Sequence, residues 1–406
     1  MFGVCQMLIR YILWAQNMSP KISRLVIALF LTGVPFVYTA FTAELSETSF
    51  FASSLAGTIE DAAVSDFNEI PANKWIRLKT SGNPPAKVFH GAATIAPDRD
   101  EVFFFGADTH YADYDNGVFR LNLKSLKWHR DYEADSTADY ILTPEGYTIT
   151  KSGRPWAMHT FDCWDYDPVT KKVILVGFPD HAYRIFTDFQ NKGLFIKGKI
   201  KPATWFYDPD TSTWDLIKTN SPGLFAHALV WDPIGKQFIG HNGRETYHYD
   251  SSSKKWITYK AASVKGWHRK MVFDTSVGHV LTLGHNGGSD ILYKYDATIH
   301  KWEVVETAGK ALPANGAALA YDTYNQIMLY LANDYHNQYN NPSAKSVTFI
   351  YDSRTTNWKR LQVQSPELYG MNYLTQYDPS RRVILHFEKA NNSNGRIAVW
   401  VFKYKD

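Results

Sequence analysis

The chain has 406 residues, with 43 basic and 40 acidic side chains, a net charge of +3 and 45% apolar residues. So even a balance makes no positive field of the kind a nucleic-acid binder needs, which argues against nucleic acid as a partner. Two cysteines, Cys5 and Cys163, give no disulfide framework, whereas 13 Trp, 25 Tyr and 24 Phe suit short strands and flat ligands such as sugar rings.

Residues 1–43 stand apart from the rest. Lys21 and Arg24 precede an apolar run from Leu25 to Ala43, which reads as an export signal. The run is also about long enough to span a bilayer, so an uncleaved anchor is the alternative, and Met18 is an alternative start. Either way the expected location is secreted or periplasmic, with no membrane contact beyond that segment. Residues 44–70, acidic and rich in Ala and Ser, read as a linker, and residues 71–406 as the folded domain.

Within that domain a repeat is plain. Tyr and Trp stand seven residues apart in YDPDTSTW (Tyr207, Trp214), YDSSSKKW (Tyr249, Trp256), YDATIHKW (Tyr295, Trp302) and YDSRTTNW (Tyr351, Trp358), with LNLKSLKW (Leu121, Trp128) a degenerate copy. Each predicts a hairpin whose two aromatics pack across the strands. Between these copies lie TIAPDRDEVFFF, WDYDPVTKKVIL, VWDPIGKQFIG, VFDTSVGHVLTL, AYDTYNQIMLYL and QYDPSRRVILHF, each a strand, a polar turn and a strand. In all but the first, an Asp carboxylate is placed to accept backbone N–H groups in the turn.

Joined, the two patterns predict four antiparallel strands, A to D, about every fifty residues. Ringing such sheets around an axis buries their faces against one another. The last copy lacks strand D, and Lys74–Leu78, with Trp75 in the Trp position, is predicted to supply it. The expected fold is all-β, a six-bladed β-propeller closed by its N-terminal strand. A helical repeat is excluded, since nothing beyond residue 70 sustains a 3.6-residue apolar period.

The Tyr/Trp spacing and the glycines that end strand B (Gly106, Gly177, Gly240, Gly284) resemble kelch repeats and the propeller of the galactose-oxidase superfamily. The resemblance covers about residues 71–406 and departs at the usual double glycine, where Ala107, Phe178, His241 and His285 stand second. Such propellers serve as binders, scaffolds and enzymes, so the fold alone leaves the function open.

Strand parity puts the start of A, the B–C loop and the D–A loop on one face. His90, His159, His227 and His268 lie at starts of strand A, and His110, His181, His241, His285 and His336 just after strand B. The two longest insertions, residues 133–155 and 178–202, reach the same face and carry Tyr140, Tyr147, Arg154, Tyr183 and Arg184. One His-rich mouth is the predicted site.

A uronic-acid polymer cleaved by β-elimination needs a cation for the carboxylate, a base for the C5 proton and an acid for the departing oxygen. His90, His110, His159, Tyr183 and Arg184 are the candidate catalytic residues, and Trp156, His181, His227, Arg244, His268 and Arg269 the candidate substrate contacts. This set is similar to the propeller-type lyases that cleave ulvan and rhamnose–glucuronate linkages. Their His pair matches His90 and His110 in position and spacing, whereas His159 stands where those enzymes have Tyr; His90, closer to the axis, is the expected base and His110 the neutralising or proton-donating partner. Those lyases usually have seven blades, which is the alternative count here. The lyase reading requires no cofactor, and a His-bound divalent metal is a further option. The expected partner is an anionic polysaccharide, and the expected state a monomer. The alternative reading, which the same residues would serve, is a non-catalytic glycan- or protein-binding propeller.

Overall fold

The computed structural model describes residues 64–86, 90–109, 113–180, 182–193, 198–260, 264, 267–285, 291–308, 318–333, 346–366, 374–389 and 397–405. The apolar segment within residues 1–43 lies outside them, as does the stretch 44–63. Among the described residues no helix is long and apolar enough to cross a membrane.

The described chain is an all-β, six-bladed propeller. Blade one comprises strands A Ala92–Ala96, B Glu101–Phe105, C Phe119–Asn122 and D Lys127–Arg130. Blade two comprises Trp164–Asp167, Lys172–Gly177, Ala203–Asp208 and Thr213–Ile217; blade three, Ala228–Asp232, Gln237–His241, Glu245–Asp250 and Lys255–Lys260. Blade four comprises Trp267–Asp274, His279–His285, Tyr293–Asp296 and Lys301–Val304; blade five, Ala318–Asp322, Ile327–Asn333, Ser346–Asp352 and Asn357–Arg360. Blade six takes Thr375–Asp378, Val383–Lys389 and Ile397–Phe402 from the end of the chain and Trp75–Leu78 as strand D. Trp75 pairs with Phe402 and Leu78 with Val399, so the predicted closure is the observed one.

Local chemistry explains the hairpins. Asp167 accepts the N–H groups of Val169 (2.8 Å) and Thr170 (3.3 Å), and Asp232, Asp250, Asp322 and Asp378 do the same in their turns. In the degenerate copy Asn122 substitutes for the carboxylate. Four residues after each turn-opening residue the chain enters the left-handed region, as at Lys171 (φ 62°), Ser212 (φ 55°) and Gln326 (φ 56°). That residue closes the turn and returns the chain to strand geometry.

The paired aromatics sit in register, Tyr207 opposite Trp214 and Tyr351 opposite Trp358, with ring centroids 5.0 Å apart in both. Their indoles also tie blades together. Trp256, Trp302 and Trp75 donate to Thr204, Thr246 and Thr348, each on strand C of the preceding blade, at 2.8–2.9 Å.

The six A strands form the inner ring, each against the next, with blade six against blade one. Around the axis they wall a cavity of about 250 Å³, lined by Ile95, Trp164, Val230, Val272, Ala320 and Gln376 among others. Buried polar groups stitch this ring. Asp165 accepts from Thr94 Oγ1 (2.8 Å) of blade one and from the Trp231 N–H (2.8 Å) of blade three. Lys270 Nζ meets Asp162 Oδ1 at 2.7 Å, both side chains buried. With each charge removed from water, the close partner is what makes burial tolerable.

Candidate functional site: a histidine-lined mouth

Strands A begin at the mouth through an unusual backbone. His90 (φ 57°), Phe161 (φ 49°), Ala226 (φ 57°) and His268 (φ 49°) occupy equivalent entrance positions in the left-handed region, none of them glycine. Each such residue costs about 1–3 kcal/mol unless its surroundings over-determine it. Here they do: the His90 carbonyl accepts the N–H groups of Thr160 (2.8 Å) and Phe161 (3.0 Å), and the Ala226 carbonyl accepts that of His268 (2.7 Å). Only His90 and His268 of the four predicted strand-A histidines are therefore equivalent. His159 precedes the entrance residue by two, and His227 follows it by one.

That offset makes the first cluster. His159 comes back toward blade one, and its ring stacks on His90 with centroids 4.2 Å apart and planes 17° apart. Between them stands Asp108, just past the end of strand B of blade one. Its Oδ1 lies 3.5 Å from His90 Nδ1 and 3.8 Å from His159 Nε2. Asp108 and His159 are buried, and His90 is partly open to the mouth. Gly106 makes the approach possible: at φ 119°, a Cβ there would lie 2.4 Å from Thr160 Oγ1 and 2.7 Å from the Gly91 Cα.

Phe161 forms the floor beside this cluster. Its ring meets His90 and His159 edge-on, each at 5.6 Å, stacks on His268 at 5.6 Å and meets Phe225 at 5.0 Å.

On that far side lies a second cluster, His227, His241 and Arg269. His227 Nδ1 is 2.6 Å from the Phe225 carbonyl, which can only accept; Nδ1 therefore carries the proton and Nε2 the lone pair of the neutral ring. Burial, with a smaller contribution from the Arg269 charge, pulls the His227 pKa down to about 4. Gly243, at φ 85°, faces this nitrogen, and a Cβ there would sit 3.0 Å from Nε2. A side chain there would press on Nε2, and the glycine spares the ring that contact. His241 is buried, with Nδ1 3.2 Å from Thr246 Oγ1, and its pKa is lowered by burial and by its neighbours His227 and Arg269. Arg269 is buried against the Tyr293 ring at 5.4 Å, and desolvation lowers its pKa to about 10.

The two insertions pack on each other. The first holds a hairpin of Tyr140–Leu142 and Thr148–Thr150, and the second a helix, Tyr183–Asn191. Ile185 and Phe189 of the helix join Tyr140 and Trp156 in one apolar cluster. Trp156 is 0% exposed, stacked on Tyr140 at 5.0 Å, and donates to the Ile149 carbonyl at 2.9 Å. Protein rings occupy the surface on which it was expected to stack a sugar, so Trp156 is a packing residue. Arg184 and Arg244 are exposed. His110, His181 and His336 lie outside the described residues, as do the side chains of Tyr183 and His285. Cys163 is buried, and its Sγ donates to the carbonyls of Leu224 (3.5 Å) and His227 (3.4 Å), a packing role.

Comparison with protein-family models and with curated proteins finds no match.

Sequence reasoning missed Asp108 and Phe161. Asp108 lies two residues before His110 in GADTH, inside a segment already marked as part of the mouth. Its position after strand B was the available signal.

Proposed function

We propose that this chain is an exported, kelch-like propeller that cleaves a uronic-acid-containing polysaccharide by β-elimination at the histidine-lined mouth. The observation that carries the reading is the second cluster: a neutral imidazole with its lone pair on Nε2, beside a buried arginine. β-Elimination asks for that pair, a base for the C5 proton and a cation for the carboxylate.

Arg269 pairs with the carboxylate and draws charge from C5. His227 Nε2 takes the C5 proton, the C4–C5 double bond forms and the C4–O bond breaks. The departing oxygen takes its proton from a water admitted beside the His90–Asp108–His159 cluster. Arg184, exposed on the insertion helix, and Arg244, exposed on the B–C loop of blade three, suit carboxylates of neighbouring sugars. His227 replaces His90 as base because its tautomer is set by the Phe225 carbonyl.

The test is the ultraviolet absorbance of the unsaturated uronate at the new chain end, on ulvan, glucuronan, alginate, pectin and glycosaminoglycans. His227→Ala and Arg269→Ala are expected to lose at least 100-fold in kcat/KM. Activity is expected to fall on acidification through about pH 4, where His227 gains its proton, rather than near the free histidine value. Binding of one polymer with no absorbance change would make the protein a binding propeller. Wild-type turnover in both variants would move the chemistry away from this cluster.

A further inference from the structure

We propose that His90, Asp108 and His159 form a binding site for a divalent first-row transition metal, with Zn²⁺ the best fit. The inference rests on donor geometry and stands whether or not the protein is a lyase.

The distances separate this cluster from an ordinary hydrogen-bonded His–Asp pair. Contacts of 3.5 and 3.8 Å from one carboxylate oxygen to two imidazole nitrogens are too long for N–H···O bonds, which span about 2.7–3.2 Å. They are close to the spacing of about 3.4 Å between donors sharing a tetrahedral ion with bonds of about 2.0–2.1 Å. One ligand atom from each residue lies within 4.8 Å of the other two, so the pocket is slightly wider than a loaded site and closes by a small movement. The rings are stacked with planes 17° apart, so loading also tilts them until both lone pairs point at the ion.

The scaffold under the donors is rigid. His90 is fixed at its entrance position by two backbone bonds to its carbonyl, and the Ala107 N–H, beside Asp108, bonds the Met158 carbonyl, beside His159, at 3.0 Å. Thr160 Oγ1 donates to the Phe105 carbonyl at 2.9 Å. Three segments from two blades are thus tied together directly behind the three donors. Two imidazoles and one carboxylate select zinc, iron or manganese over calcium or magnesium, which prefer all-oxygen sites. The three donors among the described residues leave at least one position of a tetrahedral ion to a further ligand, and of the three only His90 is partly exposed. A bound ion there would polarise a sugar oxygen or carboxylate, or supply a water with pKa near 7 as proton donor.

The experiment is titration calorimetry of chelator-treated full-length protein with ZnCl₂ alone, followed by Co²⁺ spectroscopy. One equivalent is expected to bind at micromolar Kd or tighter. The Co²⁺ form is expected to show visible d–d bands of a low-coordinate nitrogen and oxygen site, with no thiolate charge-transfer band. Asp108→Asn and His159→Ala are expected to weaken binding at least 100-fold, and His248→Ala, on strand C of blade three, to leave it unchanged. Should either site variant fail to fold, the wild-type Co²⁺ spectrum decides, since adventitious surface binding gives weak octahedral bands. No saturable binding by wild type at 100-fold excess over micromolar, or equal loss in His248→Ala, would overturn the site.

Discussion

Ring closure can be tested at a single oxygen atom. Thr348 is 0% exposed; its Oγ1 accepts from Trp75 Nε1 at 2.9 Å and lies 2.7 Å from Ser365 Oγ. Trp75 is on the strand that the beginning of the chain lends to blade six, so this bond joins the closing strand to blade five. Thr348→Val keeps the shape, opens no cavity and strands a buried indole N–H. Such a group costs about 1–3 kcal/mol. For a unit of residues 61–406 the unfolding entropy is about 0.7 kcal/mol/K, so the melting temperature should fall by about 1–4 °C. The fold carries a natural counterpart. At the equivalent place in blade six stands Val399, and Trp128 Nε1 of blade one is buried without a hydrogen-bond partner. Val399→Thr is therefore expected to stabilise by up to about 1 kcal/mol. Urea unfolding followed by tryptophan fluorescence reads both variants, and a double-mutant cycle with Trp75→Phe isolates the bond. A Thr348→Val change below about 0.5 kcal/mol, or strict additivity with Trp75→Phe, would refute the reasoning.

Two further outcomes are expected. Removing residues 1–60 should leave a cooperatively folding protein, whereas removing 1–79 strips the buried Trp75, Ile76 and Leu78, about 5–9 kcal/mol of burial and comparable to a whole domain's stability; equal melting temperatures would show the strand to be dispensable. Stability should also fall from about pH 6.5 to 4, because His227 is held neutral in the fold at a pKa of about 4 while the unfolded chain takes up the proton sooner. The slope is worth at most about 3 kcal/mol and should shrink in His227→Gln, so an unchanged slope in that variant speaks against the buried neutral ring.

What the sequence alone determined is the blade. Tyr/Trp pairs seven apart, Asp-led turns and their spacing are local signals, and the hairpins they specify close within a dozen residues. Closure was legible too, because Trp75 repeats the Trp position of the other outer strands. The helix Tyr183–Asn191 escaped notice, since Ala182, Ile185 and Phe189 make barely two apolar turns and gain their meaning only against Trp156 and Tyr140. That same packing removed Trp156 from the mouth.

The site was a matter for tertiary structure. His90 and His159 are about seventy residues apart, and each looks like a strand-start histidine, yet a two-residue offset carries one ring onto the other. Asp108 meets both rings only because the entrance segment of blade two reaches back over the end of strand B. Periodicity says which residues reach the mouth. Which of them meet depends on blade-to-blade contacts between segments distant in sequence, and those contacts are made by backbone groups that carry no side-chain signature.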